Sequence, residues 1–220
     1  DEMNCKLIEF ADVSVFAFDK KHTALYKLVK EKVPSIKLFI SLDNESESDD
    51  VINFSEIMEK YEGEYNGSPD PDKVCAIVFT SGTTGFPKGV MSSHRNFVYS
   101  AGSVHVACPT TRMLCCLPIH HSFCFTGNIT KSIVKGKTVC VNDNLANLIQ
   151  DLQLYKPDSI LAVPQLVKKI MFGAMKFAAA HPELPQEKAI NSFLGGNIID
   201  IISGGAPLEA ALNEKFNSTG

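Results

Sequence analysis

The sequence predicts an α/β protein in which parallel-rich sheets carry helices on both faces. Strand-like and helix-like runs alternate regularly from residue 74 to residue 216. A separate strand–helix–strand succession occupies residues 13–42. Several strand-like runs end in turns rich in Gly, Ser, Thr or His, and the loops after parallel strands are where such folds bind ligands. The candidate functional residues are therefore expected in these loops.

The amino-acid composition argues against several classes of binding partner. Hydrophobic residues make up 45% of the 220 residues, which is ample for a buried core. The net charge of -4 gives no electrostatic reason to expect nucleic-acid or anionic-membrane binding. No apolar run approaches the roughly 20 residues that span a bilayer, and the first residues do not resemble a secretion signal. We therefore expect a globular protein without a transmembrane segment or a nucleic-acid partner.

The seven cysteines are odd in number and include no CxxC pair. Neither a zinc ribbon nor a complete disulfide framework is expected from this pattern. Reduced thiols in a cytoplasmic compartment are predicted instead.

Residues 1–73 are predicted to form a β-α-β unit followed by an acidic loop and a linker. The strand-like runs are residues 13–18 and 36–42. An amphipathic helix, residues 20–32, lies between them in the sequence. The helix places Leu25, Leu28 and Val29 on one face, as expected for packing on a sheet.

The segment 43–50 contains five carboxylates in eight residues. Their mutual repulsion and the lack of apolar side chains favour a solvated loop, with a metal site as the alternative. A short amphipathic piece, 54–61, and a connecting loop with two Gly and two Pro, 62–73, lead into the second predicted domain, residues 74–220.

The second predicted domain alternates strands and helices. The predicted strands are 74–80, 112–117, 138–141, 159–163 and 197–202. The predicted helices are 96–106, 126–134, 145–155, 165–180 and 208–216. Because the chain shows no internal repeat, one continuous sheet is the simplest expectation.

A glycine-rich loop follows the first of these strands directly: Thr80-Ser-Gly-Thr-Thr-Gly85, then Pro87-Lys-Gly89. Glycines permit positive φ angles and a close approach of backbone N–H groups to a polyphosphate. The hydroxyl side chains add donors, and Lys88 adds a mobile positive charge that suits phosphate oxygens. The residues assigned to ATP-phosphate binding are Thr80, Ser81, Gly82, Thr83, Thr84, Gly85 and Lys88.

The nucleoside-triphosphatase loop GxxxxGK[ST] is the main alternative for this segment. Pro87 stands where that loop has Gly, and Gly89 replaces the hydroxyl residue that holds magnesium. A GTPase or motor ATPase is therefore disfavoured. A ligand-free surface turn is the remaining alternative, but so specific a run is a remote coincidence at ordinary residue frequencies.

Two adjacent histidines follow the predicted strand 112–117, in the segment Leu117-Pro-Ile-His-His-Ser-Phe123. Their position after a strand predicts a place near the ligand-binding edge of the sheet. Adjacent side chains of an extended segment point in opposite directions, so only one histidine is expected to face a ligand. Zinc is the competing interpretation, but no further ligand stands at the usual spacing.

The segment Ile201-Ile-Ser-Gly-Gly-Ala-Pro-Leu208 is another apolar strand that ends in a Gly-rich turn. A nucleobase could stack closely on such a backbone, and Pro207 suits the first turn of the following helix. The alternative is that a strand-to-helix connection requires Gly and Pro for geometric reasons alone.

Together these segments resemble the adenylate-forming superfamily of acyl-CoA synthetases, peptide-synthetase adenylation domains and luciferases. Residues 80–89 match its signature Thr-Ser-Gly-Thr-Thr-Gly-x-Pro-Lys-Gly, and residues 117–123 resemble its Leu-Pro-x-x-His-x-Phe element. Residues 203–208 match its Ser-Gly-Gly-Ala-Pro-Leu element. The strand units between these motifs are similar to those of long-chain fatty-acid–CoA ligases.

The resemblance implies roles for the matched residues. His121 would lie beside the carboxylate to be activated, with Phe123 near the acyl pocket, and Lys88 and His121 are assigned to catalysis. The adenine and acyl pocket is assigned to His121, Phe123, Gly204, Gly205, Ala206 and Pro207. Residues 74–220 would accordingly form the ATP- and acyl-binding subdomain.

The resemblance also implies the reaction. A carboxylic acid, expected here to be a fatty acid, attacks the α-phosphate of ATP bound with Mg²⁺, and the thiol of coenzyme A then displaces AMP from the acyl-adenylate. Three further family elements do not occur in the sequence: Tyr-Gly-x-Thr-Glu, a later Thr-Gly-Asp and a carboxyl-terminal domain with a catalytic lysine. We therefore expect part of the large amino-terminal domain of such an enzyme, with no metal ligand of its own and poor turnover alone.

Two other functions stay open at this point. One is a non-catalytic nucleotide-binding module that uses the same loop without forming an adenylate. The other is an amino-acid-activating adenylation domain, although residues 121–123 offer no acidic side chain to hold an amino group.

Overall fold

The structure is a computed structural model that describes residues 2–44, 48–61, 63, 64, 66–81, 85–103 and 110–218, with backbone only for 215–217. The chain divides into two compact units. Unit 1 contains the residues up to 70 together with 79–91, and unit 2 contains 71–78 together with the residues from 92 onward. The division after residue 73 stays a prediction.

The strands are β1 (Val15–Phe18), β2 (Leu38–Ser41), β3 (Val51–Asn53), β4 (Val74–Thr80), β5 (Lys88–Ser93), β6 (Arg112–Cys115), β7 (Thr138–Val141), β8 (Ser159–Ala162) and β9 (Asp200–Ser203). The helices are α1 (Glu2–Phe10), α2 (Thr23–Lys32), α3 (Phe54–Lys60), α4 (His94–Ser103), α5 (Ser122–Cys124), α6 (Lys131–Lys135), α7 (Leu148–Tyr155), α8 (Pro164–Ala180), α9 (Gln186–Phe193) and α10 (Ala210–Asn217). A π-helical turn, Phe125–Thr130, joins α5 to α6, and 3₁₀ turns precede α2 and α7.

The described strands form three sheets with the orders β1-β2-β3, β4-β5 and β7-β6-β8-β9. All paired strands of the first and third sheets are parallel. The predicted α/β class with parallel-rich sheets is confirmed. The expectation of one continuous sheet is wrong, because the strands pair in three separate groups.

Unit 1 contains the predicted β-α-β succession as β1, α2 and β2. The apolar face of α2 packs on the sheet: Val29 is fully buried, and the Tyr26 ring stacks on Phe18 with centroids 4.4 Å apart. The edge of Phe39 from β2 meets the same tyrosine at 5.2 Å. Burial of this apolar surface stabilises the unit, and the aromatic contacts favour particular orientations of the rings.

The acidic segment is only partly described, since residues 45–47 lie outside the described residues. Asp50 accepts hydrogen bonds from Lys30, at 2.6 Å, and from the Ser48 hydroxyl, and these bonds lower the pKa of Asp50 to about 2. Among the described residues, no group of three potential metal ligands occurs.

The strands β4 and β5 form an antiparallel hairpin around the glycine-rich loop. Cys75 Sγ lies 3.5 Å from the Ser92 carbonyl oxygen near one end, and Thr80 Oγ1 lies 3.5 Å from the Lys88 carbonyl oxygen at the loop end. The sequence does not predict β5, because Lys88–Ser93 lacks a clear alternation of apolar and polar residues. A strand, and not a helix, therefore follows the glycine-rich loop.

In unit 2, the four-stranded sheet carries helices on both faces, as predicted. Alternate strand residues point to opposite sides: Leu114 and Ile160 pack with α7, α8 and α9, whereas Met113 and Cys115 contact the helical segment 122–135. α4 packs on the same face as that segment, with the rings of Phe97 and Phe125 edge to face at 5.1 Å.

Some elements differ from the expectations. α1 and α9 were not predicted from the sequence. α10 begins at Ala210, so Pro207 lies in the turn before the helix and not in its first turn. Of the predicted helix 96–106, residues 104–106 lie outside the described residues.

Candidate functional site

The strand order of the four-stranded sheet defines a ligand-binding edge. From β6 the chain moves to β7 in one direction, and from β8 it moves to β9 in the opposite direction. The loops after the adjacent strands β6 and β8 therefore diverge to opposite faces. The crevice between such strands, at their carboxyl ends, is the usual ligand site of a parallel α/β sheet.

His121 lies in the loop after β6 and caps the helix α5. The Phe123 N–H donates to His121 Nδ1 at 3.2 Å. Because a backbone N–H can only donate, Nδ1 must be the acceptor, and the neutral imidazole therefore has its proton on Nε2. The side chain is exposed, so it presents an Nε2–H donor at the carboxyl edge of the sheet. His120 is also exposed.

Phe123 and Gly204, both predicted as pocket residues, are in direct contact. A Cβ atom at Gly204 would lie 2.3 Å from Phe123 Cζ and 2.6 Å from Cε2. Gly204 is held against β8, since its N–H donates to the Ala162 carbonyl oxygen at 3.1 Å. The absence of a side chain at residue 204 is therefore what allows the aromatic ring to lie against this backbone.

The remainder of the glycine-rich turn is open to solvent. Gly205 has a φ of +82°, a conformation that favours glycine, and a Cβ atom there would be 3.7 Å from Val163 Cγ1. Ala206 and Pro207 are exposed. Val163 was not predicted as a site residue. Its only signal in the sequence is its position directly after β8, next to a proline.

The phosphate-loop candidate is described in part. Gly82, Thr83 and Thr84 lie outside the described residues. The hydroxyl of Thr80 donates to the Lys88 carbonyl oxygen at 3.5 Å and closes the base of the loop. Ser81 and Lys88 are exposed, and within the described part of the chain no carboxylate forms an ion pair with Lys88.

An aromatic cluster flanks the same loop within unit 1. The ring of Phe10, at the end of α1, meets Phe79 edge-on at 6.3 Å and Phe86 at 5.7 Å. Gly85, between them in sequence, has a φ of +91°. Sequence reasoning missed Phe10, because a contact over about 70 residues leaves no mark in the local pattern.

Comparison with known proteins identifies the class. The profile of the AMP-binding enzyme family matches residues 5–220. The chain belongs to this family of adenylate-forming enzymes.

Among curated proteins, the chain is 30% identical over 148 residues to 4-coumarate–CoA ligase-like 2 of Arabidopsis thaliana, covering 66% of this chain and 24% of that protein. It is 28% identical over 181 residues to long-chain-fatty-acid–CoA ligase 1 of Schizosaccharomyces pombe, covering 77% and 25%. The chain thus spans about a quarter of the length of these relatives.

Solved structures show the same fold. The adenylation domain of a carboxylate reductase from Mycobacterium chelonae superposes with a TM-score of 0.79 at 19% identity, covering 99% of this chain and 40% of that one. The anthranilate–CoA ligase AuaEII in complex with anthranoyl-AMP gives a TM-score of 0.79 at 16% identity, covering 99% and 41%.

No helix in the described part of the protein combines the length and apolar character needed to cross a membrane.

Proposed function

We propose that the protein uses ATP to activate a carboxylic acid as an acyl-adenylate and transfers the acyl group to coenzyme A, with a fatty acid as the substrate class. The observation that carries the proposal is the arrangement of His121, Phe123 and Gly204, which puts an N–H donor beside an apolar wall at the ligand-binding edge. Membership of the AMP-binding family supports the reaction class. Free cysteines among the described residues support a reducing, cytoplasmic setting.

His121 would bind and orient the acid. Its Nε2–H can donate to one carboxylate oxygen, which leaves the other oxygen free to attack the α-phosphorus. That attack forms the acyl–phosphate bond of the adenylate, and the bond to pyrophosphate breaks. The hydrogen bond at Nδ1 fixes the ring orientation, so the donor is positioned before the substrate arrives.

The glycine-rich loop would bind the phosphates. Ser81 supplies a hydroxyl donor, Thr80 closes the base of the loop through its bond to the Lys88 carbonyl oxygen, and Gly85 has the positive φ angle of a tight turn. Lys88, with no described carboxylate partner, is available to stabilise the charge that moves onto pyrophosphate. Gly82, Thr83 and Thr84, outside the described residues, complete the proposed loop.

Mg²⁺ belongs to the reaction proposed for the whole enzyme, because it neutralises ATP phosphates. The described residues contain no group of three potential metal ligands, so the ion would be held mainly by the ATP phosphates, as is usual for Mg²⁺ at nucleotide sites. The proposed steps therefore run through protein side chains and substrates only.

The proposal also names fatty acids as the substrate class. The alignment with the Schizosaccharomyces pombe long-chain-fatty-acid–CoA ligase covers more of this chain, 77%, than that with the coumarate–CoA ligase-like protein, 66%. The apolar ring of Phe123 on Gly204 is also suited to an acyl chain.

The proposal is tested by ATP–pyrophosphate exchange with fatty, aromatic and amino acids. The assay uses the 220-residue chain and the longest encoded polypeptide that contains it. We expect exchange with fatty acids, strongest in the longer polypeptide. Lys88→Met should lower exchange about 100-fold, since it removes charge stabilisation in the transition state. Lys73→Met is the matched control, because this exposed lysine precedes β4, and it should leave exchange unchanged.

The other outcomes identify the alternatives. Exchange with amino acids alone would indicate an adenylation domain of the peptide-synthetase kind. Calorimetric binding of ATP without exchange, in both polypeptides, would indicate a nucleotide-binding module and would contradict the proposed reaction.

A further inference from the structure

Cys115 and Cys124 place their sulfur atoms 3.4 Å apart in the interior of unit 2. Cys115 is the last residue of β6, and Cys124 is the last residue of α5. The Leu117 carbonyl oxygen lies 4.0 Å from the first sulfur and 3.2 Å from the second. The two thiols therefore meet at the base of the segment that carries His121.

The separation is short enough for a covalent bond to form. A disulfide bond is about 2.05 Å long, so the sulfurs need to approach by about 1.4 Å. Rotation about the Cα–Cβ bond of one cysteine can move its sulfur over such a distance.

The neighbouring thiols lack this geometry. Cys116 follows Cys115 but faces the opposite side of the strand, where its Sγ donates to the Leu161 carbonyl oxygen at 3.5 Å. For the other described cysteines, Cys5, Cys75 and Cys140, no contact with another sulfur atom is found. Among the described cysteines, the arrangement is thus particular to one pair.

We propose that Cys115 and Cys124 are a modification site, at which a peroxide oxidises the pair to a reversible disulfide. One thiol loses its proton, and the thiolate attacks an oxygen of hydrogen peroxide to become a sulfenic acid; the hydroxide that leaves takes up that proton and forms water. The second thiol attacks the sulfenic sulfur, and its proton leaves with the sulfenic hydroxyl as a second water molecule. The two thiols lose two electrons and two protons in total, and the peroxide is reduced to water.

The surroundings slow this oxidation and restrict it to small oxidants. Burial, together with the hydrogen bond to Cys124, raises the pKa of Cys115 to about 12, which keeps its thiolate scarce. The chain between the two cysteines runs through the exposed residues 118–122, and hydrogen peroxide is little larger than water. A small oxidant is therefore the class of reagent that fits the site.

The bond would change the mobility of the candidate site. It closes a ring of chain from Cys115 to Cys124 that includes His121 and Phe123, and it ties the end of β6 to α5. A shorter covalent loop reduces the conformations open to the segment. Oxidation should therefore restrict the movement of the Phe123 ring away from Gly204, a contact that is already present with both thiols free.

The test is peptide mapping of the native protein after treatment with hydrogen peroxide at low protein concentration, so that exposed Cys75 does not link two molecules. Free thiols are alkylated, and the denatured protein is cut with chymotrypsin, which can cleave after Phe123, between the two cysteines. We expect one linked pair of peptides, containing Cys115 and Cys124, and its loss on treatment with dithiothreitol. This readout does not require the protein to activate an acid.

Serine variants sharpen the test. Cys116→Ser is the matched control and should still form the bond, whereas Cys115→Ser and Cys124→Ser should each abolish it. If Cys115 and Cys124 of the unsubstituted native protein remain free while Cys75 is oxidised, the proposal is overturned. A native bond from Cys116 to either residue would overturn it as well, and neither result depends on the folding of a variant.

Discussion

Lys131 and Asp200 are opposite charges in unit 2 that interact without a direct bond. Lys131 is only 3% exposed, and Asp200 Oδ2 is buried with no hydrogen-bond partner, beside the equally unpartnered hydroxyl of Ser159. Burial lowers the pKa of Lys131 and raises the pKa of Asp200, and the attraction between the two opposes both shifts. Each charge therefore depends on the other to offset the cost of leaving water.

We predict that Lys131→Met lowers the free energy of unfolding by about 1–3 kcal/mol, because it removes the stronger of the two lysine charges, Lys131 and Lys137, that attract the Asp200 carboxylate. The double variant Lys131→Met with Asp200→Leu should recover most of this loss, since both charges are then removed from the interior. Urea unfolding at neutral pH measures the free energies.

Lys135→Met, at the exposed end of the same helix, is the control and should change the free energy by less than about 0.5 kcal/mol. A double variant as unstable as the sum of its two single variants would show that the two charges are independent.

At the scale of elements, α8 and α9 pack closely because α8 has a glycine where α9 places an aromatic ring. A Cβ atom at Gly173 would lie 2.8 Å from Phe193 Cζ. The same ring lies 5.6 Å from that of Phe177, which in turn stacks on His181 at 4.0 Å. The glycine costs helix propensity, but it allows the two helices to approach.

We predict that Gly173→Ala destabilises the protein by about 1 kcal/mol, although alanine is the better helix former by about the same amount. The cost of overpacking against the ring, about 1–3 kcal/mol, should exceed the gain. Gly102→Ala in α4 is the matched control, because no atom lies within 4 Å of a Cβ there, and it should be neutral or stabilising. The midpoints of thermal unfolding of both variants measure these changes in stability. Equal stabilisation by both substitutions would contradict the packing argument.

Elements with a strong periodic signal were predicted from the sequence, and the others were not. α2 and α8 are long enough to repeat their apolar residues over several turns, and β8 is a continuous buried run. α9 and β5 were not predicted, and β5 combines a glycine with exposed polar and apolar side chains. Their stability comes from tertiary contacts, such as that between Phe193 and Gly173, which local sequence does not contain.

At the scale of the whole molecule, most of the perturbed carboxyl groups are held in the ionised form. The carboxyl groups whose pKa lies below its ordinary value are those of Glu2, Asp19, Asp50, Asp72 and Asp158. For Asp50 the cause is the hydrogen bond from Lys30. For Asp158 burial raises the pKa, but hydrogen bonds from Thr111 and Arg112 lower it more. The pKa of Asp200, in contrast, is raised by burial.

We therefore predict a loss of stability in acid. A carboxyl group with a lowered pKa contributes stability that is present above its ordinary value, near 4, and is lost as the pH falls through the lower folded-state value. Urea unfolding at about pH 7, 4 and 2.5 should show a falling midpoint, with Asp50 losing its contribution near pH 2. Asp50→Asn should make the fall smaller, and salt should weaken it because these pairs are largely exposed. A midpoint that rises between pH 4 and 2.5 would contradict the prediction.

Each segment of the candidate site has its own sequence motif, whereas the contacts between the segments come from the fold. The loop from Thr80 to Gly89 could be assigned from ten consecutive residues. The contact between Phe123 and Gly204 joins residues about 80 positions apart, and Val163 joins the same turn from a third strand. Only the strand order brings these segments to one edge of the sheet.

The contact between Phe123 and Gly204 has a consequence for the kinetics of binding. If a carboxylic acid binds as proposed, an acyl chain long enough to reach Gly204 must first displace the aromatic ring, whereas a short acid beside His121 need not. The association rate of long acids would then be set by how often the ring swings away, and it would level off at high ligand concentration. Short acids would associate at a rate proportional to their concentration, so two ligands of equal affinity could differ in how quickly they enter.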